Sequence, residues 1–247
     1  MDSVMGRESR RKPKPENIIA NTVCYRSPHG IAIVVLPGFD SVNVYRFFQE
    51  EQHAEALVNG RVWISTLEDC RSHEDPVRGD VGEGTVDYFS ETITGNSGDL
   101  AFDLVAARSG IVVERSVGTT LSGNSSRRAI QNAWVVCTTE RYSPDTMRSF
   151  GSRCVRITDP VTFFRSVTES LATERRVLEA TMGGVRYSQR SYRHLEPDPG
   201  PIGFLKPPDR YASQQEVRML WESDSAEQIS HFELDCPAAR RLCSRMS

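Results

Sequence analysis

Apolar residues recur along this chain in short blocks, and the period of the pattern changes from block to block. Ile31 to Leu36 is a β-branched run halted by Pro37-Gly38, which predicts a buried strand followed by a turn. Val42 to Phe47 alternates and predicts a second strand. From Gln49 to Asn59 helix formers take over, with Ala54, Leu57 and Val58 on one side and Asn59-Gly60 as a stop signal, so a helix is predicted there. Val62 to Ser65 returns to strand character and completes a compact strand, helix, strand unit over 42–66.

Leu67 to Gly84 loses the apolar rhythm and reads as a long polar loop with room for one helical turn. Val86 to Ile93, Phe102 to Ala106, Ile111 to Val113 and Ala133 to Thr138 are predicted as short strands between Gly, Ser and Asn turns. Pro160 to Ala180 carries Phe163, Phe164, Val167, Leu171, Val177 and Leu178 near a 3.6 period, and Asp159 ahead of Pro160 fits a helix start. Val185 to Ser188 is a further strand candidate, prolines at 197, 199, 201, 207 and 208 mark an irregular loop, and Gln215 to Trp221 is a strong final strand. A stretch with Phe232 and Leu234 closes the chain, and no repeat of solenoid period is present.

Composition narrows the class. Hydrophobic residues at 38% and charged residues at 26% are ordinary globular usage, and 247 residues fit one large domain. Residues 1–18 are predicted as a disordered basic arm, since they hold Arg7, Arg10, Arg11, Lys12 and Lys14 and almost nothing to bury; 19–247 is then a single domain. Without the arm's five bases and three acids the body carries 25 bases against 30 acids, so any nucleic-acid contact has to be local. Six cysteines with no Cys-x-x-Cys pair, and no signal-peptide core ahead of them, predict reduced thiols and a cytoplasmic protein. The longest apolar run falls well short of the roughly 20 residues that span a bilayer, which predicts no membrane partner.

Three segments carry candidate chemistry. Arg46 sits between Tyr45 and Phe47 in an apolar strand, where a guanidinium needs an anionic partner or a cleft, unless it simply points to solvent from an edge strand. Ser65 and Thr66 close a strand expected to lie beside it, although such hydroxyls often do no more than satisfy nearby backbone. In Ser213-Gln214-Gln215-Glu216-Val217-Arg218, strand alternation puts Gln214 and Glu216 on one face, either as a site or as the outer face of an edge strand.

Together these segments resemble the arginine-dependent branch of the ADP-ribosyltransferase superfamily, which orders Arg, Ser-Thr and Gln-x-Glu on successive core strands; here they match Arg46, Ser65-Thr66 and Gln214-x-Glu216. Tyr45-Arg46-Phe47, Val62-Trp63-Ile64-Ser65, the run Arg71 to Gly84 and Gln215-Glu216-Val217-Arg218 also look like an uncharacterised bacterial family called DUF2971. The resemblance covers roughly 40–222, and position 67 is Leu where the fuller Ser-Thr-Ser pattern has a third hydroxyl. It implies an α+β fold with a split antiparallel β-sheet core and flanking helices.

It further implies an enzyme that consumes NAD and transfers ADP-ribose to a macromolecular acceptor, with Gln-x-Glu pointing to a protein amide side chain or a nucleobase. Glu216 would stabilise the oxocarbenium-like centre formed when nicotinamide leaves, and Gln214 would orient the acceptor. Arg46 would hold the pyrophosphate beside Tyr45, and Ser65 with Thr66 would position Glu216 or the ribose. A toxin or antiviral effector restrained by an inhibitor protein fits such an enzyme. Two other readings stay open: a nuclease binding a hard cation through Glu74, Asp75, Asp80 and Glu83, and a non-catalytic module that senses a nucleotide. The scattered histidines and the absence of phosphate-loop or dinucleotide-fold glycine motifs exclude the usual zinc and Rossmann readings.

Overall fold

A computed structural model describes residues 22–37, 42–73, 78–223 and 229–246. The basic arm therefore lies outside the described residues. The chain runs through β1 (Val23–Arg26), β2 (Ala32–Val35) and β3 (Asn43–Phe48), then α1 (Glu51–Val58), β4 (Arg61–Thr66) and α2 (Leu67–Ser72). An excursion follows through β5 (Thr85–Phe89), β6 (Ile93–Gly95), α3 (Leu100–Arg108), β7 (Thr119–Leu121) and β8 (Ser125–Ala129). β9 (Trp134–Thr139), β10 (Arg153–Thr158), α4 (Pro160–Glu174) and β11 (Val177–Gly184) return the chain to the main sheet. Short β12 (Arg186–Tyr187), β13 (Ser191–Arg193), β14 (Leu205–Lys206) and α5 (Pro208–Tyr211) precede β15 (Glu216–Ser223), β16 (Phe232–Asp235) and β17 (Cys243–Arg245).

The fold is mixed α and β: a ten-stranded sheet in the order β1-β2-β11-β15-β9-β3-β10-β17, with β4 and β16 attached off that path, and few helices. It is not wholly antiparallel, because β2 and β11 pair in parallel through Glu179↔Ala32 to Met182↔Val35. Its main core lies under α4, whose Phe163, Phe164, Val167 and Leu171 recur at helical spacing against Val217, Met219 and Trp221 of β15. Each of these buried side chains contributes about 1.5–3 kcal/mol. The Asp159 carboxylate accepts from the Thr162 amide and Pro160 opens the helix, as its sequence predicts.

One feature of the sheet sets up the site. β15 pairs along the whole of β9, from Glu216↔Thr139 to Trp221↔Trp134. The opposite edge of β9 is divided between two strands: β3 meets it only at Tyr45↔Thr139, and β4 only at Ser65↔Val135 and Thr66↔Trp134. β3 and β4 therefore diverge around Cys137, and the sheet forks there. Alternation puts Val217, Met219 and Trp221 toward the α4 core, and Glu216, Arg218 and Leu220 toward the other face.

Several sequence expectations fail locally. Phe102 to Ala106 lies in α3 and is not a strand; Phe102, Val105 and Ala106 occupy one helical face against Leu121 and half-buried Ile93. Ile111 to Val113 adopts no regular structure, although Ile111 and Val113 pack on that same cluster. The helix begun at Pro160 stops at Glu174, because Arg175 is extended and the residues after it pair with both β2 and β15. β10 was not anticipated.

Candidate functional site

Glu216 opens β15 and Arg218 follows on the same face, so two opposite charges enter the protein interior two residues apart. Arg218 is fully buried and makes four hydrogen bonds: to Glu216 Oε1 at 2.8 Å, to both oxygens of Glu83 at 2.7 and 3.1 Å, and to the Gly203 carbonyl at 2.7 Å; its Nη2 also lies 2.7 Å from Glu216 Oε1. The second Glu216 oxygen lies 2.6 Å from Lys206 Nζ on β14. Burial alone would push the Glu216 carboxyl up, but Arg218 and Lys206 outweigh it and hold it near 2, at about 2 against an ordinary 4.5. Burial likewise pulls Lys206 down, and the Glu216 and Glu83 carboxylates reverse this and leave it above its usual value.

Around this pair the backbone is pinned. The Glu216 amide donates to the Tyr187 hydroxyl at 2.7 Å, and the Tyr211 hydroxyl donates to the Gly79 carbonyl at 2.8 Å. Arg190 holds Asp80, with Nη1 donating to Oδ1 at 2.8 Å. Asp80 and Glu83, two of the four carboxylates considered as cation ligands, are thus bound to Arg190 and Arg218; Glu74 and Asp75 lie outside the described residues. Among the described residues no group of three or more metal-ligating side chains is gathered.

The fork in the sheet opens into a cavity of about 200 Å³ lined by Tyr45, Arg46, Ser65, Gln214 and Glu216 among others. A second cavity of about 310 Å³ adjoins it, with Phe48, His53 and Trp63 in its wall. Arg46, Phe47, Ser65, Arg78 and Phe150 belong to both. Arg46 bridges the fork: Nη2 donates to the Trp63 carbonyl on β4 at 3.0 Å, and the guanidinium lies 5.3 Å from the Phe48 ring centre. Nη1 is buried with no hydrogen-bond partner, and burial pulls the group down to about 10. Arg78 stacks near Phe150 at 5.9 Å and has no carboxylate partner among the described residues.

Five of the six predicted site residues therefore line one cavity, and the sixth does not. Thr66 is a helix cap: its Oγ1 accepts from the Asp69 amide at 3.0 Å while Asp69 Oδ2 accepts from the Thr66 amide at 2.9 Å. Ser65 reaches the cavity, but it makes no hydrogen bond to Glu216 and so does not position it. Gln214 arrives by another route than strand alternation: it ends a 3-10 turn, Gln215 is left-handed at φ 44°, and only Glu216 starts the strand. Its Oε1 lies 3.5 Å from Lys206 Nζ.

Sequence reasoning missed Lys206, Arg78 and the thiols of Cys70 and Cys137, which also line the cavity. The only local signal was a lysine placed between Leu205 and two prolines, where a solvated residue gains little. Searches against protein-family models, curated proteins and solved structures found no match to this chain.

Proposed function

We propose that the protein is an NAD-dependent ADP-ribosyltransferase that modifies a protein amide side chain or a nucleobase. The observation that carries this reading is the meeting of two cavities at Arg46. A dinucleotide has two ring-bearing ends and a doubly anionic centre, and here two aromatic-walled chambers share a waist that holds Arg46 and Arg78. The unpartnered Nη1 of Arg46 offers the pyrophosphate a donor already desolvated, so the cost of burying it is offset only when an anion arrives. The nicotinamide ribose then belongs in the first chamber, beside Tyr45 and Glu216, and the adenine among Phe48, His53 and Trp63 in the second.

In that pose Glu216 stays anionic throughout the working pH range. Oε1 is already taken by Arg218 Nε at 2.8 Å and Nη2 at 2.7 Å, whereas Oε2 faces Lys206 Nζ alone at 2.6 Å and keeps a lone pair for a ribose hydroxyl. As the bond between nicotinamide and ribose C1′ breaks, electrons leave with nicotinamide and the carboxylate stabilises the positive centre. Gln214 supplies an amide beside it to orient the acceptor.

Labelled NAD should release nicotinamide, and mass spectrometry should find ADP-ribose added to protein or nucleic acid. E216Q is expected to slow release by roughly 10²-fold or more. Because Glu216 is also an ion-pair partner, R46Q serves as a second variant that leaves the Glu216 network whole. Unchanged turnover in both variants would sink the assignment. The occupancy of both Glu216 oxygens favours one other reading, a nucleotide-binding module without turnover; calorimetry showing NAD binding with no nicotinamide release would select it.

A further inference from the structure

Glu216 heads a line of side chains that crosses the sheet. Strand partners in direct register share a face, and the pairings Glu216↔Thr139, Thr139↔Tyr45, Tyr45↔Arg156 and Arg156↔Ser244 run from β15 through β9, β3 and β10 to β17. Three strand intervals of about 4.8 Å put Arg156 about 14 Å from Glu216. Val44 and Ile157, the neighbours of Tyr45 and Arg156, belong to the α4 core, whereas Tyr45, Phe47 and Cys154 pack together on the other face.

Two residues on this face stand apart from the proposed chemistry. Arg156 is half-buried, yet its guanidinium makes no hydrogen bond or ion pair among the described residues; Nε is enclosed without a partner, and so is the hydroxyl of Ser244 opposite. A charge partly withdrawn from water with no counterion is costly, and an arriving anion relieves that cost. Tyr142 lies in the 140–152 connection between β9 and β10. Its ring stacks over Phe47 at 6.1 Å and 14°, reaches Tyr45 at 5.6 Å, and is still 40% exposed. It therefore stands over the middle of the line, between Glu216 and Arg156, as a flat ring held by two others and open to solvent. Positive charge is in excess around it. Arg141 is exposed and has no ion pair among the described residues, Arg148 is matched by Asp145, and Glu140 reaches toward Gly184, whose partner Val217 faces the α4 core.

We propose that this face binds a single strand of nucleic acid and is the acceptor surface of the enzyme. One base stacks on Tyr142, a backbone phosphate accepts from the Arg156 guanidinium and the Ser244 hydroxyl, and the strand presents another base at Glu216. A nucleic-acid strand repeats a flat ring and an anion at every unit, so it engages the open ring and the uncompensated guanidinium together; an acidic peptide supplies only the anion. The body beyond the basic arm is acidic overall, so a local surface of this kind is what such binding requires. At Glu216 a base nitrogen forms the new bond to ribose C1′, nicotinamide leaves with the electron pair of the old bond, and the proton of the nitrogen passes to solvent. The acceptor role rests on the proposed function; the binding does not.

The test uses the full chain and fluorescently labelled single-stranded oligonucleotides of mixed sequence, as RNA and as DNA, followed by anisotropy without NAD. The expected result is binding to at least one of them that weakens as salt is raised, with a weaker hold on the matching duplex, whose bases are not free to stack. Y142L keeps an apolar cover over Phe47 but loses the ring, and should weaken binding about 5- to 150-fold. R156Q should weaken it too, and lessen the slope of log affinity against log salt by about 0.7, the share of one phosphate contact on a single strand. R127Q, on the separate three-stranded sheet, should do neither. Urea midpoints confirm that each variant is folded. Absence of binding to both RNA and DNA overturns the proposal, as does equal binding by wild type, Y142L and R156Q, or a tighter hold on the duplex. Polyglutamate bound more tightly than either strand, and lost in R156Q, makes the partner a protein and overturns it likewise. With NAD added, R156Q should raise the KM for the oligonucleotide and leave kcat unchanged. Oligonucleotide binding as expected without nicotinamide release counts against the proposed function alone; release without oligonucleotide binding counts against this surface alone.

Discussion

Arg218 donates to two carboxylates and a carbonyl, while Arg46 donates to a single carbonyl and keeps a buried nitrogen without a partner. The two should therefore respond oppositely to removal of charge. R218M strands Glu83 and Glu216 in the interior, and breaking a buried pair from one side costs about 3–5 kcal/mol. R46M removes a guanidinium that no carboxylate compensates, so stability should change by less than about 1 kcal/mol, while NAD binding loses charge-assisted bonds and weakens roughly 10- to 150-fold. Urea denaturation and calorimetry on both variants separate these outcomes; equal destabilisation would make Arg46 structural. At this scale the sequence exposed Arg46 and Glu216 because a charge in an apolar strand demands an account. It hid Lys206, and it suggested Glu83 only as a cation ligand, since Glu83 meets Arg218 across 135 residues of chain and nothing local marks that meeting.

Elements were legible where local period and local punctuation agreed. The 42–66 unit forms as its alternation, helix run and Asn59-Gly60 stop predict, with Gly60 at φ 85°. Where they disagreed, tertiary pairing decided. Val177 and Leu178 extend the helical period of α4, yet hydrogen bonding on both edges claims Val177–Gly184 for the sheet. β10 escaped notice because Arg153 and Arg156 interrupt its apolar residues, and its place is secured by partners on both sides, β3 and β17. The turn entering β10 is equally non-local. Gly151 has φ 135°, and a Cβ there would stand 1.9 Å from the Phe48 carbonyl oxygen, which is backbone and has little room to give. G151A is expected to cost at least about 2 kcal/mol through that clash and the positive φ together. Because β3 is displaced at Phe48, two residues from Arg46, the variant should also weaken nucleotide binding; a denaturation midpoint matching wild type would refute the packing argument.

At the scale of the molecule, the split of β9 between β3 and β4 brings three acids and three bases to one face of the sheet, opposite the α4 core. Asp80, Glu83 and Glu216 are matched there by Arg190, Lys206 and Arg218. Such a cluster behaves as a second, polar core, costly to desolvate and costlier to break. Its pH response follows from Glu216 and Lys206, since Arg218, raised further above its already high value, stays charged throughout. Glu216 lies at about 2 when folded against 4.5 ordinarily, so its contribution is fully present above pH 4.5 and is lost as the pH falls toward about 2. That difference corresponds to about 3 kcal/mol. Lys206 is raised, so its contribution is complete below its ordinary 10.5 and disappears only as the pH rises through its higher folded value. No loss from these two groups falls between pH 4.5 and 10.5. Urea unfolding at about pH 6 and about pH 3 should therefore show a drop in wild type that E216Q, although less stable at both, shows to a smaller extent. An equal drop in the two proteins would mean that other carboxylates govern acid unfolding, and that the Glu216 ion pairs contribute little to holding the forked sheet in place.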